Sequence, residues 1–240
     1  MRKLFYLACS IFVMISLTGC EKSTVVSQAT ADAFIKSIKD PNNPGQPIYT
    51  VIHSVFSYNP ISSVSVASPG GQTIQLRDYD KLGNSFYNMP TLSSYSQIVP
   101  ALGTYTYTVT FKDNEVLTYT NSISSNILPP PTILGLNAVP VASATKDSVY
   151  ISWAAISNAQ AYQIKILNTT SDTTQVKYIA PFTDASNPKK DILRYGFPVS
   201  VLPLTSSKQT FTFVLDALLF ETTDYINLQA LGESYMNIIL

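Results

Sequence analysis

The sequence predicts an all-β fold built as two tandem β-sandwich domains. Only 12% of the 240 residues are charged, about half the usual share, whereas Ser, Thr, Tyr and Val are plentiful, a composition typical of strands and turns. Short alternations of apolar and polar residues recur between turn formers along the chain. Three consecutive prolines at residues 129–131 interrupt this pattern near the middle and predict a stiff, extended linker between two domains.

A first sandwich is predicted for residues 48–127. Its clearest signal is a β-hairpin, in which YTYTVTF at 105–111 and VLTYT at 116–120 alternate with period two across a polar turn at 112–115. Turn formers bound further predicted strands at 48–58, 62–68, 73–79 and 95–99. The spacing is typical of a sandwich domain.

A second sandwich is predicted for residues 133–240, after a linker at 128–132. DSVYISWAA at 147–155 and AYQIKIL at 161–167 alternate in the manner of half-buried strands. A first strand at 132–139 and later ones at 175–180, 209–218, 224–231 and 235–240 bring the total to seven, the number expected of a sandwich.

These segments resemble known families. VYISW with Trp153, AYQIKI with Tyr162 and TDYINLQALGES with Tyr225 resemble a fibronectin type III domain over about residues 129–240. The resemblance implies that Trp153 and Tyr162 pack in the core and that Tyr225 forms the corner before the sixth strand. LGTYTYTVTF at 102–111 resembles the corner and sixth strand of an immunoglobulin-like fold, which implies the same class for the first block.

Residues 1–19 predict a lipoprotein signal peptide. Arg2 and Lys3 precede an uncharged apolar run at 4–17, which is shorter than the roughly 20 residues of a membrane-spanning helix. LTGC at 17–20 then resembles the lipobox of bacterial lipoproteins, which implies cleavage before Cys20 and a diacylglycerol on its sulfur. An ordinary secretory signal, in which Cys20 is incidental, is the alternative.

Residues 20–47 are expected to form the lipidated N-terminus and a flexible tether. The segment is polar and ends in DPNNPGQP at 40–47, a cluster of helix breakers, although residues 30–40 are also compatible with a short helix. The lipobox therefore implies a lipoprotein of the cell envelope, which we expect in the outer membrane. The residues after Cys20 leave open whether it faces the periplasm or the cell surface.

Composition excludes several classes of function. Removal of Arg2 and Lys3 from the 15 basic residues leaves 13 against 15 acidic ones, so nucleic acid is not an expected partner. Cys9 would be lost with the signal peptide and the sulfur of Cys20 would be occupied, which leaves no thiol or disulfide. His53 is the single histidine, and we expect it to be structural rather than catalytic or metal-binding.

Acidic residues offer few alternatives. Asp78 with Asp80, and Asp113 with Glu115, could supply oxygen ligands to calcium, which needs six to eight. Neither pair lies in a glycine-punctuated twelve-residue loop, and both lie where strands should turn, so we expect solvated turns. The chain has neither a glycine-rich phosphate loop nor a GxSxG elbow. We therefore expect no cofactor, no metal and no enzymatic activity.

Aromatic residues are the candidate ligand contacts, because rings on sheets or loops stack on sugars and anchor protein partners. The candidates are Tyr79, Phe86, Tyr87 and Tyr95 in the first block, and Tyr195 and Phe197 in the second. Two tripeptides that begin at Asp147 and Asp172 resemble the motif at which Bacteroidetes-type bacteria O-glycosylate exported proteins. The resemblance implies a lipoprotein of such a bacterium and modification of Ser148 and Thr173.

The sequence thus leads to a lipid-anchored, non-enzymatic binding module of the cell envelope that recognises a glycan or a protein. A structural stalk or a subunit of an envelope complex is the alternative. A third reading, an enzyme that uses carboxylates alone, would require two acidic side chains facing each other across a cleft.

Overall fold

The structure is a computed structural model that describes residues 26–88, 90–138, 149–170, 173–179, 183–184, 192–197, 210–221 and 227–239. The predicted signal peptide, Cys20, Ser148 and Tyr225 lie outside these residues.

The all-β class is confirmed. The described residues contain sixteen strands and one short 3₁₀ turn, Leu92–Ser94. The first eight strands are β1 (Thr30–Lys39), β2 (Pro47–Phe56), β3 (Ile61–Ala67), β4 (Thr73–Gln75), β5 (Arg77–Asp78), β6 (Ser85–Tyr87), β7 (Gly103–Phe111) and β8 (Val116–Ile123). The second eight are β9 (Ile133–Ala138), β10 (Val149–Ala154), β11 (Ala161–Thr170), β12 (Thr173–Ile179), β13 (Thr183–Asp184), β14 (Ile192–Phe197), β15 (Thr210–Phe220) and β16 (Leu228–Ile239).

Three sheets form two sandwiches, which share the long sheet as a common layer. A long sheet has the order β12-β11-β15-β16-β1-β2-β6-β5, with β13 paired to β11. The sheet β4-β3-β7-β8 packs against β1, β2 and β6 and encloses a first core that includes Ala33, Val64 and Tyr107. The sheet β14-β10-β9 packs against β11, β15 and β16 and encloses a second core around Trp153 and Phe213.

The N-terminal segment is where the structure differs most from the prediction. The expected flexible tether, or short helix, is wrong for residues 30–39, because they form β1 at the centre of the long sheet. Ala33 and Ile35 enter the first core, while Phe34 and Lys36 alternate onto the opposite face. Strand β1 pairs antiparallel with β2 and parallel with β16, as in Ile35 opposite Ala230.

The linker at 128–132 also differs from the expected spacer between separate domains. It lies against the long sheet: Leu128 is buried in the second core, and the Ser37 hydroxyl donates to the Leu128 carbonyl oxygen at 2.5 Å. The Ser234 hydroxyl donates to the carbonyl oxygen of Pro131 at 2.6 Å. The boundary near residue 127 therefore separates two cores, while the β1–β16 pairing joins both blocks in one sheet.

Features predicted from short stretches of the sequence agree better with the structure. The predicted hairpin is confirmed as β7 and β8, with Asn114 in the turn at a φ of 72°. Trp153 and Tyr162 are buried together with ring centroids 5.3 Å apart. The predicted strand at 95–99 is wrong: only Ser96 forms an isolated bridge, with Tyr49.

Candidate functional site

A cleft of about 810 Å³ opens at one end of the first sandwich. This volume falls within the roughly 300–1,000 Å³ of small-molecule sites. The cleft is lined by Tyr49, Thr50, Val51, His53, Ser68, Gly70, Gln72, Ile74, Asn88, Pro90, Thr91, Ser94, Ser96, Ile98, Val99, Pro100, Ala101 and Tyr105.

Three segments form the walls. One is the first half of β2, and another is the β3–β4 turn, closed by a hydrogen bond from the Ser68 backbone N–H to the Gln72 carbonyl at 2.8 Å. The third is the loop at 90–101. Tyr49 and Ser96 exchange backbone hydrogen bonds of 2.8 and 3.0 Å, so the loop is attached directly to β2.

Asn88 and Tyr105 fix the two ends of that loop. The Asn88 side-chain N–H donates to the Val51 carbonyl at 2.9 Å, and its Oδ1 accepts from the His53 backbone N–H at 2.5 Å. At the other end, the Tyr105 hydroxyl donates to the Ala101 carbonyl at 2.7 Å. The cleft is therefore held in shape by hydrogen bonds that its own lining residues make.

The lining mixes apolar surface with hydroxyl and amide groups and carries no formal charge. Among the described residues that line the cleft there is no Asp, Glu, Lys or Arg; hydroxyls and amides are combined with tyrosine, proline and aliphatic side chains. Ile98 is 80% exposed at the rim. Such a site suits an uncharged ligand that has both hydrogen-bonding groups and apolar surface, because a charge buried here would have no counter-charge.

His53 is buried behind the cleft. Its Nδ1 lies 3.0 Å from the Tyr107 hydroxyl, which itself donates to the Asp32 backbone carbonyl at 2.7 Å. Because the hydroxyl proton of Tyr107 is directed at Asp32, its oxygen must accept from Nδ1–H. The other ring nitrogen, Nε2, is buried without a partner among the described residues. Burial lowers the pKa of His53 to about 4, so the ring is neutral at pH 7, in agreement with a structural role.

None of the aromatic candidates of the first block lines the cleft. Phe86 is wrong as a ligand contact, because it is 4% exposed and packs in the first core. Tyr79 is exposed and its ring stands 5.6 Å from that of half-buried Tyr87. Tyr95 is half-buried, and burial together with the charge of Glu233 raises its pKa to about 12. The candidates thus do not form one site.

The aromatic candidates of the second block, Tyr195 and Phe197, both lie in β14. Tyr195 is half-buried against the second core. Phe197 pairs with Val149 at the end of β14, and Thr173 begins β12; the side chains of Phe197 and Thr173, like all of Ser148 and Cys20, lie outside what the structure describes. Of these residues, only Tyr195 has a described side chain, and it does not line the cleft.

The acidic turn residues cap their own loops. Asp113 Oδ1 accepts from the Glu115 backbone N–H at 3.0 Å, and Asp80 Oδ1 accepts from the Leu82 backbone N–H at 2.9 Å. In the described part of the chain, no group of three or more His, Cys, Asp or Glu residues is placed to hold a metal ion.

A buried ionic cluster was missed by the sequence analysis. On the face of the long sheet opposite the cores, Lys36 Nζ lies 2.5 Å from Glu233 Oε1, and Lys165 Nζ lies 2.6 Å from Asp216 Oδ2. The Tyr235 hydroxyl donates to Glu233. Asp216 and Glu233 are 1% and 4% exposed, so the acidic pair is enclosed and paired with lysines rather than open to a substrate.

Comparisons with known proteins give no assignment. The described residues include no helix long and apolar enough to cross a bilayer. No family model matches the chain, and no curated protein matches it in sequence.

Proposed function

We propose that this chain is a lipid-anchored protein of the bacterial cell envelope that binds a neutral glycan in its cleft without catalysing a reaction. The observation that carries the proposal is the cleft itself, which combines ligand-site volume with hydroxyl, amide and aromatic groups and no charged side chain among its described lining residues.

A sugar matches these groups better than an ionic ligand does. Each sugar hydroxyl can donate and accept, as can the side-chain amide of Gln72. The Ser68 hydroxyl accepts from the Gln72 backbone N–H and can donate to a sugar, and the Ser94 hydroxyl donates to the Thr91 carbonyl and can accept from one. The C–H faces of sugar rings can pack on aromatic and aliphatic side chains, here Tyr49 and Ile98. A free carboxylate or phosphate would lose its hydration without gaining a cation.

The architecture supports the proposed family resemblances. The Tyr105 hydroxyl bonds to the backbone four residues upstream, the arrangement of the tyrosine corner in immunoglobulin-like folds. In the second block, the three-stranded order β14-β10-β9 faces β12-β11-β15-β16 across buried Trp153. We propose a fibronectin type III-like second half on this basis.

The glycan proposal is tested with an array of neutral and anionic oligosaccharides, followed by calorimetry. Gln72 and Gln75 are both exposed, but only Gln72 lines the cleft. Gln72→Ala should weaken binding of a neutral oligosaccharide about 2–10-fold through loss of one or two hydrogen bonds, and Gln75→Ala should leave it unchanged. Absence of binding at millimolar sugar, or preference for anionic glycans, would contradict the proposal.

The anchor is tested separately. Cys20→Ala should move the protein from the membrane fraction to the soluble fraction, because it removes the acyl chains, each worth about 0.8 kcal/mol per buried methylene. Membrane retention of this variant would count against lipidation.

A further inference from the structure

Five exposed apolar side chains lie at the end of the first sandwich opposite the cleft. Val26 is 69%, Phe56 43%, Tyr58 89%, Tyr79 65% and Leu82 68% exposed. We call these five residues the apolar pole. Exposed apolar side chains that lie together mark a candidate interaction surface, whereas the exposed Leu92, Ile98, Val99 and Leu102 lie in or beside the loop that walls the cleft.

Hydrogen bonds hold the parts of the apolar pole together. The Ser57 backbone N–H donates to the Asn84 carbonyl at 3.0 Å, and the Asn84 side-chain N–H donates back to the Ser57 carbonyl at 2.8 Å. These bonds join the loop that carries Tyr58 to the loop that carries Leu82. The rings of Phe56 and Tyr58 are in contact, with centroids 5.1 Å apart. The surface is therefore built on connected loops.

The chain enters the fold at the same end. The Ser57 hydroxyl donates to the Gln28 carbonyl at 2.5 Å, and the Gln28 backbone N–H donates to Asn59 at 3.3 Å. These contacts fix the residues just before β1 beside the apolar pole. Val26, the first described residue, is thus part of this surface.

Chain length then limits how far the apolar pole can be from the lipid. Val26 follows Cys20 by six residues, which span at most about 20 Å even when fully extended. A bilayer holding acyl chains on Cys20 would therefore lie within about 20 Å of Val26, whatever the path of the intervening residues. The long tether expected from the sequence leaves no such constraint, but the position of β1 imposes it.

We propose that the apolar pole rests in the interface of the membrane that holds the lipid of Cys20, so that the cleft faces away from the bilayer. This inference rests on the lipid anchor of the proposed function. Tyrosine suits the depth, because its ring is apolar and its hydroxyl stays hydrated at the headgroups.

Charge neither drives nor opposes this placement. Cations and anions near the pole nearly balance, since Arg77, Lys81 and Lys112 stand against Asp78, Asp80, Asp113 and half-buried Glu115. The surface is therefore expected to contact zwitterionic and anionic lipids alike, with apolar contact rather than attraction to headgroup charge setting the orientation.

The strand directions place the cleft on the far side. Strand β7 begins beside the cleft at Gly103 and ends at the pole with Phe111, a length of roughly 30 Å. Strand β3 runs the opposite way, from Ile61 at the pole to the turn at Ser68 in the cleft. A pole in the interface thus presents the cleft to ligands outside the membrane.

The experiment uses the full lipidated protein in phosphatidylethanolamine and phosphatidylglycerol vesicles. If Cys20 carries lipid, a single introduced cysteine is the only free thiol and accepts one fluorescent label. Tyr58→Cys and Leu82→Cys report on the pole, and Gln97→Cys, exposed at the cleft end, is the matched control. Lipids with a nitroxide headgroup should quench most of the emission at positions 58 and 82 and little at position 97.

The outcomes separate the two proposals. A soluble chain that takes a second label at Cys20 would overturn the anchor itself. An anchored, singly labelled protein whose positions 58 and 82 are quenched no more than position 97 would overturn only the orientation. If the label at position 58 is not quenched by lipid but that position cross-links to another protein, the membrane orientation would also be overturned.

Discussion

Asp216 and Glu233 lie directly opposite each other on β15 and β16. Like charges in this arrangement destabilise a sheet, and here both side chains are buried. Lys36 and Lys165 lie beside the pair, with Lys36 Nζ 2.5 Å from Glu233 and Lys165 Nζ 2.6 Å from Asp216 and 3.7 Å from Glu233. The two acids nevertheless respond differently: burial, opposed by Lys165, raises the pKa of Asp216 to about 7, whereas Glu233 is held below its usual pKa.

The raised pKa of Asp216 predicts a stability that falls with pH. Between about pH 4 and pH 7 the folded state keeps a proton on Asp216 that the unfolded chain has released. Since the folded state binds more protons over this window, the free energy of unfolding decreases as the pH rises through it. Asp216→Asn should remove this loss, so its stability relative to the wild type should be higher at pH 7.5 than at pH 4, as measured by urea unfolding.

Glu233→Gln provides a control of opposite sign. Burial acts to raise the pKa of Glu233, but Lys36, Lys165 and the Tyr235 hydroxyl outweigh it and lower the pKa. The stability that ionised Glu233 contributes to the fold is present above the ordinary glutamate pKa and is lost as the pH falls below it. Glu233→Gln should therefore cost more at pH 7.5 than at pH 3. Parallel pH profiles for the two variants would refute the asymmetry.

His53 predicts a second pH effect that can be observed at a single nucleus. Its pKa of about 4 means that the folded ring stays neutral where an unfolded histidine would take up a proton. The unfolded chain then binds more protons between about pH 4 and 6.5, so this contribution to stability rises with pH. Because His53 is the only histidine, ¹⁵N-histidine NMR should show one ring, protonated on Nδ1 and not titrating above pH 5.

The hydrogen bonds of His53 also predict which ring nitrogen carries the proton, namely Nδ1. A proton on Nε2 would contradict the direction of the His53–Tyr107–Asp32 hydrogen bonds. Tyr107→Phe should shift the Nδ1 resonance, because it removes the acceptor oxygen 3.0 Å away. Tyr119→Phe is the control, since that hydroxyl bonds instead to the Ala29 backbone N–H.

The close contact between the proline linker and β16 predicts that adding one methyl group at Gly232 lowers the stability of the fold. A Cβ at Gly232 would overlap the carbonyl oxygen of Pro129, whereas a Cβ at exposed Gly45 would meet nothing closer than 3.8 Å. Gly232→Ala should lower the free energy of unfolding by about 1–3 kcal/mol through overpacking, and Gly45→Ala should change it by less than about 0.5 kcal/mol. Denaturant unfolding checks both values, and equal effects would contradict the packed linker.

The sequence could predict what depends on neighbours along the chain. The β7–β8 hairpin joins strands four residues apart in sequence, so its alternation and its turn occur in one window. Trp153 and Tyr162 follow the same logic, since each lies in a strand whose alternation marks the buried face.

Distant partners explain most of what was missed. Strand β1 takes its parallel neighbour β16 from almost the other end of the chain, and a polar segment with lysines gives no local sign of such a partner. The alternation around Phe86 and Tyr87 shows that they face opposite ways, but only the β3–β7 sheet above them decides that Phe86 is inside. The cleft likewise depends on a loop that crosses from β6 to β7 and pairs with β2 through Ser96.

Two adjacent serines provide the last test of the cleft. Ser93 and Ser94 are both exposed in the 3₁₀ turn, but only Ser94 lines the cleft. Ser94→Trp should fill part of the cavity and weaken neutral oligosaccharide binding on the order of tenfold or more, a loss of about 1.4 kcal/mol. Ser93→Trp places the same ring one residue away, where it removes only the 2.8 Å hydroxyl contact with Thr91, and should change the affinity by about twofold or less. Calorimetry measures both affinities, and thermal unfolding checks that both variants fold. Equal affinity of the two variants would show that the ligand binds elsewhere.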